Sequence, residues 1–338
     1  MFSELDGDQI RIQTNATQAF EGWREADQDF RHSYKGRMNW SRVKGVQYLY
    51  RITGNVRKSL GPRSPETEKT KYEYTAQRKR LRERRNRLWS KVRQQAPINR
   101  AYRLGRVPRI AAEILRTLDQ HQMMGEHLIV AGTHSIYAYE AAAGIHVDGR
   151  LLATTDIDLL WDVRRNLRLA LIDADERGVL GLLRKVDSSF HKTRHSYRAI
   201  NNDGYFVDLI RPMEKDEMLE PNKKMGGNED LEAAAILGLQ WLINAPRMNQ
   251  IAIGDDGYPV MISCVDPRAF ALYKRWLSEE AEDRDPQKKR RDKQQAIAVA
   301  NIAQNYLDLK FSAKDLSALP LRLTQHAKQL IAAASKSG

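Results

Sequence analysis

Between residues 15 and 34 the apolar positions Phe20, Trp23, Phe30 and Tyr34 recur at helical spacing, and Gly36 ends the run. The stretch MNWSRVKGVQYLYRITGNVRKSL then switches to β-rich runs broken at Lys44-Gly45 and Gly54-Asn55, which predicts a small antiparallel meander. Ser64-Pro65-Glu66-Thr67 carries a helix-start signal, and the good helix formers from about 68 to 95 predict a long cationic helix. Pro97 and Pro108 bracket an expected connection, after which Ile110, Ile114, Leu115 and Leu118 form an apolar helical stripe that stops before Gly125.

From His127 the texture becomes short apolar β runs alternating with helical segments. HLIVAG, TDIDLLWDV and YFVDLI read as strands, HSIYAYEAAA and ERGVLGLLRKV as helices. The polar stretch EKDEMLEPNKKMGGNED reads as a flexible surface linker. Beyond it we expect a helix over 231–244, a hairpin turning at Asp255-Asp256-Gly257, and helices from about 267 to 335. The predicted class is α+β with an α/β-like core: a mixed sheet flanked by helices over 116–215, preceded by a basic helix-and-meander arm over 1–115. A mostly helical C-terminal domain with one hairpin follows over 231–338.

Charge sharpens this division. The 338-residue chain has a formal net charge of +13, and residues 51–110 hold 19 Lys or Arg against 4 Asp or Glu, so the remainder is close to neutral. A localised cationic block suits a polyanion, because clustered cations release counterions from phosphates; the plainer alternative is a solvated helix face. No apolar run approaches the ~20 residues of a membrane-spanning helix, and MFSELDGDQI lacks the basic and apolar regions of a secretory signal, so the chain reads as soluble, cytoplasmic and without a membrane partner. The single cysteine, Cys264, lies in apolar PVMISCV and reads as an inert core residue.

The sharpest chemistry is Asp156-Ile157-Asp158. On a strand, residues i and i+2 share a face, so both carboxylates project together and repel unless a cation sits between them. Hard oxygen ligands of this kind select Mg²⁺ or Mn²⁺. Asp208, flanked by apolar residues in YFVDLI, needs a partner as well. It either joins the first two as a third metal ligand on a neighbouring strand, with two metals about 4 Å apart, or forms a salt bridge to Arg198 or Arg211. Upstream, Ala131-Gly132-Thr133-His134-Ser135 precedes a helix and offers either an anion site at the helix N-terminus or an ordinary cap through Thr133 or Ser135. Lys274 and the patch HKTRHSYRA, with Lys192, Arg194 and Arg198, are candidate phosphate contacts, Arg194 and Arg198 sharing a face by strand alternation. His134 and His195 read as ordinary polar contacts, and Arg291-Asp292 as a helix-surface ion pair.

Taken in order, strand, Gly-Thr, helix, a strand with Asp-x-Asp and a strand with a lone Asp, the series resembles the polymerase-β-type nucleotidyltransferase superfamily. More closely, YLYRITGNVRKSLGPRSPETE, LGRVP, VAGTHSIYAYEAAAG, ATTDIDLLWD, GYFVDLIRP and VDPRAFALYKRW are similar to a prokaryotic family of nucleotidyltransferase-fold proteins, and these segments span most of residues 40–300. The resemblance implies that Gly132 and Thr133, with Ser135 beside them, hold a triphosphate. It implies that Asp156 and Asp158 are metal ligands, and that Asp208 completes the metal site and helps activate an incoming hydroxyl. Two departures stand out: Thr133 replaces the usual serine, and the spacing from Gly132 to Asp156 is lengthened by GIHVDGRLLATT.

The expected function is metal-dependent transfer of a nucleoside monophosphate from an NTP to an acceptor hydroxyl. RNA, such as a tRNA end, is a candidate acceptor through the 51–110 arm, whose cations are interleaved with Tyr72, Tyr74, Trp89 and Tyr102. A protein side chain or small molecule is the alternative acceptor, and a toxin-like enzyme would use the same chemistry. The reading from a different class is a non-catalytic nucleic-acid-binding or regulatory module that retains the fold.

Overall fold

The computed structural model describes residues 2–164, 178–213, 224, 226, 227, 229–282 and 284–336. The chain packs as two units, one built from residues 1–10, 105–255 and 260–338, the other from 11–104 and 256–259. Residues 116–215, the expected core, lie in the first unit, as do residues 231–338 apart from 256–259. Among the described residues no helix is long and apolar enough to cross a membrane.

The second unit holds most of helix α1 (Gly7–Ser33), the meander β2 (Arg37–Val43), β3 (Val46–Thr53) and β4 (Val56–Pro62), and the long helix α2 (Pro65–Ala101). The meander turns where its sequence breaks: Lys44 and Gly45 have φ of 48° and 83°, and Gly54 has 55°. Helix α2 starts at Ser64, whose hydroxyl accepts from the Thr67 N–H while the Thr67 hydroxyl accepts from the Ser64 N–H, a reciprocal capping box. The expected break at Pro97 does not occur. The helix continues to Ala101, with Pro97 on its exposed side and Val92, Ala96 and Asn99 buried around it. Asn99 donates to the Gly257 carbonyl at 2.8 Å, and Phe20, Trp23, Trp89 and Tyr258 form a chain of ring contacts with centroids 4.8–5.7 Å apart.

The first unit holds β1 (Phe2–Glu4), helix α3 (Arg109–Gln120), β5 (Leu128–Val130), α4 (Ser135–Ala143), β6 (Ile145–Val147), the short α5 (Gly149–Leu152) and β7 (Asp156–Trp161). After these come α6 (Gly178–Val186), β8 (His191–Lys192), β9 (Arg198–Ile200), β10 (Phe206–Pro212), β11 (Ala234–Ile236), α7 (Leu239–Asn244), β12 (Arg247–Ile253) and β13 (Pro259–Val265). Helices α8 (Pro267–Glu279) and α9 (Pro286–Asn301), which pack on each other, lead through a π-helical turn at Ile302–Tyr306 to α10 (Leu321–Thr324) and α11 (Ala327–Ser335).

An eight-stranded mixed sheet runs in the order β12-β13-β5-β7-β10-β9-β8, with β11 also paired to β10. Strand β7 is antiparallel to β5 and parallel to β10, and its Ile157, Leu159 and Leu160 are fully buried with Val207 and Leu209 of β10. Apolar burial on this scale, at about 25 cal/mol per Å², fixes the register of both strands. Cys264 on β13 is also fully buried, and burial pushes its thiol up to about 12, so it is a core residue and not a nucleophile.

Two expectations change. Residues 231–244 are not one helix: Ala234–Ile236 pair in parallel with Ile210, Arg211 and Pro212, and Gly238, at φ 85°, separates this strand from α7. The insertion GIHVDGRLLATT is ordered as β6 and α5, and β6 pairs antiparallel with β1, Phe2 opposite Val147. The expected linker falls largely on residues outside those described, but Asp230 near its end is buried and accepts from the N–H groups of Val179, Leu180 and Gly226.

Candidate active site

The parallel pairing of β7 and β10 sets Asp158 directly opposite Asp208, and the antiparallel pairing of β10 with β9 sets Asp208 opposite Arg198. One row of side chains thus reads Asp158, Asp208, Arg198 across three strands. Asp156, two residues before Asp158, shares its face. All three sequence-predicted acids therefore lie on one sheet face.

Their environments differ. Asp208 is buried and receives two parallel hydrogen bonds, from Nε and Nη2 of Arg198, each 2.6 Å long. The salt-bridge alternative weighed for Asp208 is thus realised with Arg198, whose guanidinium also lies 5.0 Å from the Phe206 ring centroid. Asp156 accepts a hydrogen bond from the Thr154 hydroxyl. Among the described residues the Asp158 carboxylate has no such partner. Burial, followed by the charges of Asp156 and Asp208, pushes its carboxyl up to about 6, while Lys274 and Arg284 act in the opposite direction.

The loop between β5 and α4 closes on Asp158. The Ala131 N–H donates to the Asp158 carbonyl at 3.1 Å, and a methyl group at Gly132 would stand 2.0 Å from Asp158 Oδ2, so only glycine permits this approach. Both hydroxyls of the loop are engaged internally. Ser135 donates to the Val130 carbonyl at 3.0 Å, and Thr133 accepts from Nε2 of Gln295 at 3.2 Å. The first two N–H groups of α4 are engaged as well, Ser135 donating to the Gly132 carbonyl and Ile136 to the Thr133 carbonyl, each at 3.0 Å, so what the loop can offer an anion is the N–H groups of Gly132, Thr133 and His134 just ahead of the helix.

Lys274, on α8, is buried and donates to Asp292 at 2.8 Å. Asp292 also accepts from Arg284 at 2.8 Å, so two cations share one carboxylate and a positive charge is left over near Asp158. Asp292 is not the helix-surface residue expected: it is fully buried on the inner side of α9, and its neighbour Arg291 instead donates to the Ala153 carbonyl at 3.2 Å. Arg194 does not share a face with Arg198. It is exposed in the turn between β8 and β9, where strand alternation does not apply, and it forms no ion pair with the acids. His195 is exposed beside it.

Three participants were not singled out from the sequence. Arg284 lies in a charged run that gives no sign of burial. Gln295, fully buried on α9, ties Thr133 to the Leu151 carbonyl, which it reaches at 2.7 Å, just before the two-aspartate strand. Tyr205 has its hydroxyl 3.2 Å from Nε2 of His134, a buried imidazole held down to about 4 by desolvation. Only the position of Gln295, three residues after Asp292 and so on the same side of a helix, offered a signal.

The oxygen donors of Asp156 and Asp158, crowded as like charges and facing a partly buried surface, fit a hard divalent cation. Asp208 is instead occupied by Arg198, and among the described residues no group of three or more His, Cys, Asp or Glu side chains stands ready as a metal cage.

The sequence profile of a family described as Nucleotidyltransferase matches residues 109–320, more than half of the chain, from α3 to the end of the loop before α10. No curated protein and no solved structure matches the chain.

Proposed function

The chain belongs to this nucleotidyltransferase family, and we propose that it moves a nucleoside monophosphate from an NTP onto an acceptor hydroxyl, with Mg²⁺ or Mn²⁺ held by Asp156 and Asp158 and with RNA or tRNA as acceptor. In that reaction the bond between the α-phosphorus and its bridging oxygen breaks, a bond to the acceptor oxygen forms, pyrophosphate leaves and the hydroxyl gives up its proton. The observation that carries the reading is the row of Asp158 and Asp208 in register, with Asp156 on the same face and the Gly132 loop pressed against Asp158.

A divalent ion bound to these carboxylates would neutralise phosphate charge and polarise the phosphoryl group. The remaining tasks belong to the chain. The backbone N–H groups of Gly132 and Thr133 take the phosphates ahead of α4, with Ser135 bracing the turn through the Gly132 and Val130 carbonyls, and the unbalanced cation of the Lys274–Asp292–Arg284 cluster adds attraction for them. Arg198 exchanges Asp208 for a substrate phosphate, which frees that carboxylate to accept the hydroxyl proton; Arg194, at the exposed turn, is a second phosphate contact. The cationic segment 51–110 supports RNA as the acceptor, and such substrates suit a cytoplasmic enzyme.

The bidentate hold of Arg198 on Asp208 favours one other reading, a nucleic-acid-binding module without turnover. Radiolabelled NTPs, Mg²⁺ or Mn²⁺ and total RNA separate the two. Transfer of label that falls at least about 100-fold in Asp158→Asn supports the enzyme. Absence of label in RNA, protein and small molecules, with RNA binding retained, supports the module.

A further inference from the structure

The cations of α2 sort into two sets. Arg84 pairs with Glu25 and Asp29 of α1 at 3.0 and 3.1 Å, Arg85 reaches Asp27 at 3.5 Å, and Lys69 and Lys79 lie 4.0 Å from Glu73 and Glu83 one turn on. Arg80, Arg82, Arg87, Lys91, Arg93 and Arg100 are exposed, and none has an ion pair among the described residues. After Glu83 the helix carries no acid at all. Helical geometry places Arg80, Arg87 and Lys91 in one row and Arg82, Arg93 and Arg100 in a second, the two rows about 150° apart and flanking the outward side of the helix over a length of about 30 Å. The acids of α1 thus neutralise the inward arginines and leave the outward rows uncompensated.

Of the four aromatic residues expected to stack on bases, Tyr72 and Tyr102 are exposed toward the two ends of α2, and the other two are turned inward. Tyr74 is buried, its hydroxyl 3.0–3.1 Å from the carbonyls of Tyr34, Lys35 and Gly36, and Trp89 packs between Trp23 and Tyr258. Exposed apolar side chains along α2 are confined to its ends, Tyr72 before the rows and Ile98 and Tyr102 at their far end; from 73 to 97 no large apolar side chain is exposed. Along most of its length the face therefore lacks a continuous apolar wedge of the kind a lipid surface needs and the clustered anchors of a protein interface. It matches a polyanion whose phosphates point outward and whose bases are turned in.

We propose that these two rows bind the phosphate backbone of folded RNA without reading its sequence. The inference rests on the transferase reading only in making that RNA the acceptor. Fluorescent unfractionated tRNA, titrated with the full chain from about 50 to 200 mM KCl, should give a log–log salt slope of about −4 to −5 if six phosphates are contacted. Replacing the first row (Arg80→Gln, Arg87→Gln, Lys91→Gln) should weaken binding at least about tenfold and flatten the slope by about 2 to 3, with the circular-dichroism melt unchanged because all three are exposed. A matching second-row variant (Arg82→Gln, Arg93→Gln, Arg100→Gln) should do the same, and Asp158→Asn should bind tRNA normally. Unchanged affinity and slope in both row variants would overturn the proposal, as would equal affinity for duplex DNA, polyglutamate or phosphatidylserine vesicles. Binding of tRNA that follows these expectations without transfer of label sinks the transferase reading and leaves the RNA-binding face standing.

Discussion

Asp292 sets the charge balance around Asp158. Being fully buried and shared by Lys274 and Arg284, it is the residue whose loss leaves two cations without a counter-charge. Asp292→Ala should therefore cost about 3–5 kcal/mol in urea denaturation, and the paired change Lys274→Met with Asp292→Leu should cost less, because the fully buried cation goes with its partner and only the part-exposed Arg284 loses its carboxylate. His134 makes a prediction in pH. Its folded-state imidazole titrates near 4 because burial disfavours the charged form, whereas the unfolded chain titrates near 6.5. Between those values the unfolded state binds more protons, so stability present above pH 6.5 is lost as the pH falls toward 4, on the order of 3 kcal/mol in all. Denaturation midpoints measured at several pH values should show this loss in the wild type and a shallower one in His134→Gln.

At the level of elements, the turn from β5 into α4 and the strand β7 act as one device, because the glycine of the first leaves room for the carboxylate of the second. Gly132→Ala places a methyl group where Asp158 Oδ2 now stands, so either the loop or the carboxylate must move. A displacement of this kind should lower label transfer about 100-fold while the fold persists. Gly149→Ala, on α5 where a methyl group meets nothing within 4 Å, should leave transfer unchanged. Elements with strong local signals were legible beforehand: the meander with its Lys44-Gly45 and Gly54-Asn55 turns, the capping box at Ser64 and the apolar stripe of α3. Residues 231–244 were not, because Ala234–Ile236 become a strand only by pairing with the end of β10, a partner about 25 positions away.

For the whole molecule, the chain carries +13, and the surplus of 15 cations in residues 51–110 accounts for all of it, while the family match lies over 109–320, so charge and catalytic signature occupy different stretches. If Asp156 and Asp158 hold a divalent ion, Mn²⁺ or Mg²⁺ should stabilise the folded chain by mass action, about 2.7 kcal/mol at a hundred times the dissociation constant. The thermal midpoint should then rise by several degrees in the wild type, fall back on chelation, and stay put in Asp158→Asn. The sequence by itself determined which residues carry negative charge on strands, where the cationic block lies and which family the chain resembles, since these depend on residue type, short-range periodicity and order along the chain. Only the tertiary structure decided that Asp208 faces Arg198, that Asp292 is buried beneath Lys274, that Arg194 stands apart, and that the cations of α2 divide into neutralised and uncompensated sets. Each of these turns on contacts between segments distant in sequence, and a side chain's charge says nothing of which neighbour burial will bring against it.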